Sequence, residues 1–234
     1  AHSVCFTTEE ERMLAKKTFK PYCINDVVTG LGVSDPPEKK DVQLQTIFSC
    51  FPEFKNKRVL LYLGRFHPKK GVDLLINAFL KQSKKEEILL LAGPINHSDN
   101  HVKYLQNLSL KNKNKIFWSD MIKGDMKWGA LRMADALILP SHQENFGMVV
   151  AEALSVGTPV FLTNKVNLWR EVIDFGAGIV ANDDQKGVDH LVQEWVLNAH
   201  QSCLKNTLKC FHEKLHISQT VKKILTILPD GECM

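Results

Sequence analysis

Glu144 and Glu152 stand eight positions apart in the stretch Pro140-Ser141-His142-Gln143-Glu144-Asn145-Phe146-Gly147-Met148-Val149-Val150-Ala151-Glu152. Ionised carboxylates only accept hydrogen bonds, so two of them in one site suit a ligand rich in hydroxyl groups. The apolar run before Pro140 has strand length, and a helix is predicted to begin near Gly147. Glu144 then stays in the loop and Glu152 falls in the second helical turn, so both can face one ligand at the helix N-terminus. There the free amides of Phe146, Gly147 and Met148 offer donors to an anion or a hydroxyl.

A second group, Gly64-Arg65-Phe66-His67-Pro68-Lys69-Lys70-Gly71, follows another apolar run. Its glycines allow close backbone approach, Arg65 can grip phosphate oxygens through a planar fork, and Lys70 supplies a point charge. Together the two groups match a ligand that joins a diphosphate to a ribose and a hexose. Taken singly, each is also compatible with a solvated loop or a surface helix, and for Lys69 the solvated reading is preferred.

These groups need a scaffold. Strand-length apolar runs occur at 59–63, 88–92, 115–118, 136–139, 159–162 and 178–180. Between them lie segments with helical spacing: Val72, Leu75, Ile76, Phe79; then Val102, Leu105, Leu108; then Met126, Ala130, Met133. Strand and helix in alternation require right-handed crossovers, hence an α/β, Rossmann-like doubly wound parallel sheet. Ligands of such sheets sit at the carboxyl ends of strands, where both groups lie. Phe117 and Trp118, in the third apolar run, are compatible with plain sheet core.

Beyond Gly187 only helical periodicity remains, with Leu191, Trp195, Leu204, Leu208, Phe211, Val221, Ile224 and Leu225 as apolar anchors of a helical C-terminal layer. Residues 3–7 read as a buried strand and Thr8-Glu9-Glu10-Glu11 as a capping box. Such a strand needs neighbours, which points to a missing preceding domain unless it pairs elsewhere. Residues 27–40, with two glycines and two prolines, read as an interdomain crossing. The expected division is therefore 1–40 as remnant and linker, 41–186 as the ligand-binding domain and 187–234 as C-terminal helices.

The segment from Val59 to about Asp183 resembles the retaining glycosyltransferases of the GT-B fold, particularly family four. The resemblance rests on Gly64-Arg65-Phe66 with Lys69-Lys70-Gly71, on 134–141, on the E-x7-E pair Glu144 and Glu152, on Gly157-Thr158-Pro159-Val160, and on Glu171-Val172-Ile173 before Gly178-Ile179-Val180. It implies the C-terminal, donor-binding domain of such an enzyme, with a UDP- or GDP-type sugar as donor. Arg65, Lys70 and Glu144 would then be catalytic. Gly64, Gly93, Trp118, Glu144, Asn145, Phe146, Gly147, Met148 and Glu152 would bind the donor, Glu152 taking the ribose and Glu144 the hexose. Gly93-Pro94 and Phe117-Trp118-Ser119 would line the base and ribose pocket, where Ser119 departs from the usual glycine and Trp118 is bulkier than usual.

Several classes are set aside. The 30 basic and 26 acidic residues are interspersed, without the basic arm that nucleic acid would require. No apolar run nears the roughly 20 residues that cross a bilayer, and no signal peptide is expected, so membrane association would come only through the missing domain and the expected location is cytoplasmic. Cys5, Cys23, Cys50, Cys203, Cys210 and Cys233 lack ligand spacing and read as reduced, mostly buried thiols; Cys203 and Cys210 share a helical face. With no DxD motif and phosphate charge met by Arg65, Lys70 and a helix end, neither metal nor cofactor is expected. His67 and His142 sit in the two loops as weaker candidates. Rival readings are a module that binds a nucleotide sugar without transferring it, and a sugar-nucleotide epimerase or phosphorylase of related fold. The acceptor stays unspecified.

Overall fold

The computed structural model describes residues 3–228. Strand β1 (Val4–Phe6), helix α1 (Glu9–Thr18) and strand β2 (Asp26–Val28) make a small βαβ unit whose two strands run parallel, Val4 opposite Asp26 and Phe6 opposite Val28. The first strand thus pairs with a later segment of the same chain, and it is half-covered rather than buried, with Cys5 exposed. Thr8 caps α1 by accepting from the Glu11 amide at 3.1 Å. The return bond of the expected box is shifted by one residue: the Glu11 carboxylate accepts from the amide and hydroxyl of Thr7, at 2.8 and 2.6 Å.

After an extended stretch and α2 (Lys40–Cys50), the alternation read from the sequence unfolds in full: β3 (Arg58–Leu63), α3 (Val72–Gln82), β4 (Glu87–Ala92), α4 (Asn100–Ser109), β5 (Ile116–Ser119), α5 (Gly124–Met133), β6 (Ala136–Leu139), α6 (Met148–Ser155), β7 (Val160–Thr163), α7 (Trp169–Phe175) and β8 (Gly178–Ala181). The six strands β3 to β8 form one all-parallel sheet in the order β5-β4-β3-β6-β7-β8. Chain order runs outward from β3 to β5, then restarts at β6 on the other side. That reversal opens a crevice beyond the carboxyl ends of β3 and β6. Residues 59–62, 88–92 and 136–139 are buried without alternation, as expected where helices cover both sheet faces.

Helix α2 lies along α5 so tightly that any side chain on Gly129 would overlap the Gln43 carbonyl, and Arg132 donates to the Gln43 side-chain oxygen at 2.7 Å. Helices α8 (Gln185–Val196) and α9 (His200–Cys210), a π-helical turn (Phe211–Leu215) and α10 (Ile217–Leu225) follow. Val33 of the extended stretch bridges to His216, tying the stretch before α2 to the start of α10. Among the expected anchors, Leu191, Trp195 and Phe211 are buried, but Leu204, Leu208, Val221, Ile224 and Leu225 are exposed. Periodicity specifies an apolar face of a helix; it does not specify what covers it.

The thiols also depart from expectation. Cys203 and Cys210 are buried in α9, whereas Cys5, Cys23 and Cys50 are exposed, and Cys233 lies outside the described residues. Among the described residues no helix is long and apolar enough to cross a membrane.

Candidate functional site

The loops after β3 and β6 meet at the crevice through their backbones. The His142 amide donates to the Lys69 carbonyl at 2.8 Å, and Gly71 turns so close to Pro140 that a Cβ there would overlap the Pro140 carbonyl oxygen. Gly71 also has φ +61°, the left-handed region, so a residue without a side chain meets both demands. Below it, Tyr62 is fully buried and its hydroxyl donates to the Arg65 carbonyl at 2.7 Å. Burial pushes that phenol's pKa well above its usual value, which keeps the proton in the bond that holds the Arg65 turn. Gly64 and Gly93 end the adjacent strands β3 and β4, and a side chain on Gly93 would overlap the Gly64 carbonyl.

Glu144 is fixed from below. Its amide donates to Lys165 and its carbonyl accepts from the Asn167 amide, both at 3.0 Å. Gly147, at φ +77°, then starts α6; a Cβ there would press on the Glu144 side chain at 3.3 Å. Phe146 is buried and anchors the turn. Asn145 accepts from Asn167 at 3.1 Å and donates to Glu11 at 3.4 Å, while Arg170 donates to Glu10 at 2.7 Å, so the acidic first turn of α1 reaches the rim of the site.

Two hollows open here, and Arg65 lines both. The first, of about 250 Å³, is mostly apolar: Pro94, Met121, Ile122, Met148 and Val149 surround Gly64, Gly93, Lys127 and Glu152. The second, of about 330 Å³, is polar and is lined by His67, Lys69, Lys70, Gln143, Glu144 and Asn145. Each hollow holds a glutamate bonded to a lysine: Lys70 to Glu144, and Lys127 to Glu152 at 2.7 Å. All four side chains are at least partly covered, so the charges are compensated in place.

The structure therefore brings Gly64, Arg65, Gly93, Met148 and Glu152 together in one hollow, and Arg65, Lys70, Glu144 and Asn145 in the next. Trp118 is not with them. Its indole donates to Ser109 on α4 at 2.9 Å, its ring packs on Phe66 at 4.9 Å, and it lines a separate hollow with Gln106 and Leu110. Successive strand residues alternate faces, and Phe117 correspondingly meets Phe51 and Phe54. Lys69 bonds Gln143 at 2.9 Å in an exposed position. His67 caps the turn at Pro68–Lys70, and His142 lies 3.0 Å from Asp183.

Lys127, Met121 and Ile122 were not legible as site residues. Met121 and Ile122 stand two and three positions beyond the end of β5, so reading further past that strand would have found them. Lys127 carries no local signal, because a lysine in a helix is ordinarily solvated. Among the described residues no three His, Cys, Asp or Glu side chains are grouped as a metal site requires.

Comparison with known proteins adds to this geometry. Residues 45–209 match the family described as glycosyl transferases group 1. An uncharacterized glycosyltransferase of Methanocaldococcus jannaschii is 27% identical over 180 residues, covering 74% of this chain and 45% of the relative. The D-inositol 3-phosphate glycosyltransferase of Kineococcus radiotolerans is 30% identical over 149 residues, covering 58% of this chain and 34% of the relative. The chain thus spans less than half the length of these curated relatives. Among solved structures, Anabaena HepE in complex with UDP and glucose superposes with a TM-score of 0.81 at 16% identity, covering 97% of this chain and 62% of that one. At that identity the likeness shows the fold, the Rossmann-like α/β arrangement of GT-B glycosyltransferases.

Proposed function

The chain belongs to the group 1 glycosyltransferases, and from that premise we propose that it supplies the donor site for hexosyl transfer from a nucleoside diphosphate sugar with retained anomeric configuration. The observation that carries the reading is the pair of joined hollows sharing Arg65, one apolar and one polar, each with its own glutamate. A nucleotide sugar has the same sequence of parts. Its base and ribose suit the apolar hollow with Glu152, its diphosphate suits the shared boundary at Arg65 and Lys70, and its hexose suits the polar hollow with Glu144.

In this reading Glu152 accepts from the ribose hydroxyls and Glu144 from the hexose. The amides of Phe146, Gly147 and Met148 at the start of α6, together with Arg65 and Lys70, stabilise the departing diphosphate. Lys70 also holds Glu144, so one side chain links the leaving group to the sugar. Gly64 and Gly93 give the ligand close approach to backbone. Trp118 has no place in this assignment. The reaction breaks the bond between the anomeric carbon and the phosphate oxygen and forms one to the acceptor oxygen on the same face. The acceptor's proton passes to the departing phosphate, and no enzyme nucleophile is required. Arg65, Lys70 and the helix end supply the positive charge, so the proposal includes neither metal nor cofactor.

The donor is of UDP or GDP type; the UDP held by the solved relative HepE supports the former. The acceptor site is assigned to the portion of the relatives that this chain does not span, residues 1–40 being its remnant and linker, and the proposed location is cytoplasmic. Incubation with a radiolabelled nucleotide sugar, with product analysis and calorimetry against UDP and GDP, tests the reading. Nucleotide binding that Glu152→Ala weakens more than it perturbs folding is expected. A chain that binds neither nucleotide would overturn it, and binding without transfer, hydrolysis or isomerisation would leave the binding-module alternative.

A further inference from the structure

The apolar hollow contains a cation to which the roles above give no task. Lys127 lies in the first turn of α5, with its ammonium 2.7 Å from Oε1 of Glu152 and 4.6 Å from the centroid of the Trp128 ring. Its side chain is 25% exposed and that of Glu152 17%. Among the described residues Lys127 is the one partner of the Glu152 carboxylate, so the orientation of that carboxylate depends on a residue from a different helix.

A flexible glutamate loses rotamer freedom when it binds a hydroxyl, and a prior bond removes part of that cost. An ammonium on Oε1 fixes how the carboxylate lies and leaves Oε2 to accept from a ligand. Phosphate charge already has Arg65, which lines both hollows, whereas Lys127 lines only the apolar one. We propose that Lys127 is a positioning residue of the ribose subsite, orienting Glu152 so that the site discriminates nucleotides with ribose hydroxyls from those without. The inference rests on the reading that Glu152 receives the ribose.

Calorimetry on the full chain tests it. Whichever of UDP and GDP binds the wild type more tightly is compared with its 2′,3′-dideoxy analogue and with inorganic pyrophosphate, using the wild type, Lys127→Met, Lys127→Gln, Lys127→Arg and Glu152→Ala. A hydrogen bond to a charged group corresponds to about tenfold or more in affinity. Lys127→Met is expected to lose about tenfold for the ribonucleotide, with the dideoxy analogue and pyrophosphate within about twofold of wild type, and Lys127→Arg is expected to keep the preference. Lys127→Gln carries the same expectation if the methionine variant fails to show a wild-type melting transition. Equal losses on the ribo and dideoxy nucleotides would overturn the inference in favour of a plain charge effect. An unchanged or improved ribonucleotide affinity would overturn it outright. If Glu152→Ala weakens the nucleotide and Lys127→Met does not, the inference falls alone; if the wild type binds neither nucleotide, the functional reading falls with it.

Discussion

Replacing Gly71 by alanine should damage the site through its backbone alone, and the structure lets the size of the effect be worked out. A left-handed φ of +61° costs a non-glycine residue about 1 to 2 kcal/mol. The new Cβ would overlap the Pro140 carbonyl oxygen, a backbone atom that cannot swing aside. The two loops must part by about 1 Å before ordinary contact distances return. Parting them stretches the bond from the His142 amide to the Lys69 carbonyl, worth about 1 kcal/mol. The expected loss is about 2 to 4 kcal/mol in urea unfolding, within the 5 to 15 kcal/mol typical of a folded domain, so the variant should fold. Nucleotide affinity should fall by tenfold or more, since about 1 Å of misplacement separates Arg65 and Lys70 from Glu144.

Gly124→Ala supplies the control. That glycine has φ +53° but nothing within 4 Å of its would-be Cβ, so alanine there registers the dihedral cost without the collision. It should lose about 1 to 2 kcal/mol and leave nucleotide affinity unchanged. If Gly71→Ala behaves like Gly124→Ala in both stability and affinity, the close approach of the two loops does not set the geometry of the site.

Arg65→Ala should weaken binding of the nucleoside diphosphate by about tenfold or more while leaving the bare nucleoside nearly unaffected, because the guanidinium is assigned to phosphate; equal losses on both ligands by calorimetry contradict that role. Glu171 sets a pH dependence of stability. Burial raises its carboxyl pKa above the ordinary 4.5, and its Oε2 is buried without a hydrogen-bond partner among the described residues. The folded chain therefore holds the proton more strongly than the unfolded chain does. The resulting stabilisation is complete below pH 4.5 and is lost as pH rises through the elevated folded value. Glu171→Gln should flatten the decline in urea midpoints from pH 4.5 towards neutrality; an identical decline in both proteins would show that other groups cause it.

Much of this architecture was legible because parallel strands buried on both faces write themselves as unbroken apolar runs, and all six of the runs beginning at Val59 became strands of one sheet. The Glu144 and Glu152 spacing was legible for a similar reason: a loop followed by a helix turns sequence distance into spatial distance with little freedom. Trp118 was misplaced because the end of a strand does not disclose which face a given side chain takes. That depends on which helix covers each face, here α4 over the indole. Lys127 was invisible because its partner lies 25 positions away on another helix, and only the packing of α5 beside α6 joins them. The exposed row on α10 marks the same boundary, since amphipathic spacing describes one side of a contact.

The reversal of strand order at β3 and β6 also bears on how the molecule reaches its native state. Strands β3, β4 and β5 follow one another along the chain and can pair through successive crossovers. The junction with β6 must close a far longer loop, as in the bond from the Val59 amide to the Asp135 carboxylate, which spans 76 positions. Contacts of such sequence separation form slowly, because chain entropy is lost before any pairing offsets it. The site lies on that seam, with Arg65 and Lys70 contributed from one side and Glu144 and Glu152 from the other. Competence to bind a nucleotide is then acquired only when the two halves of the sheet meet, which makes ligand capture during refolding a clock for the closing of that seam.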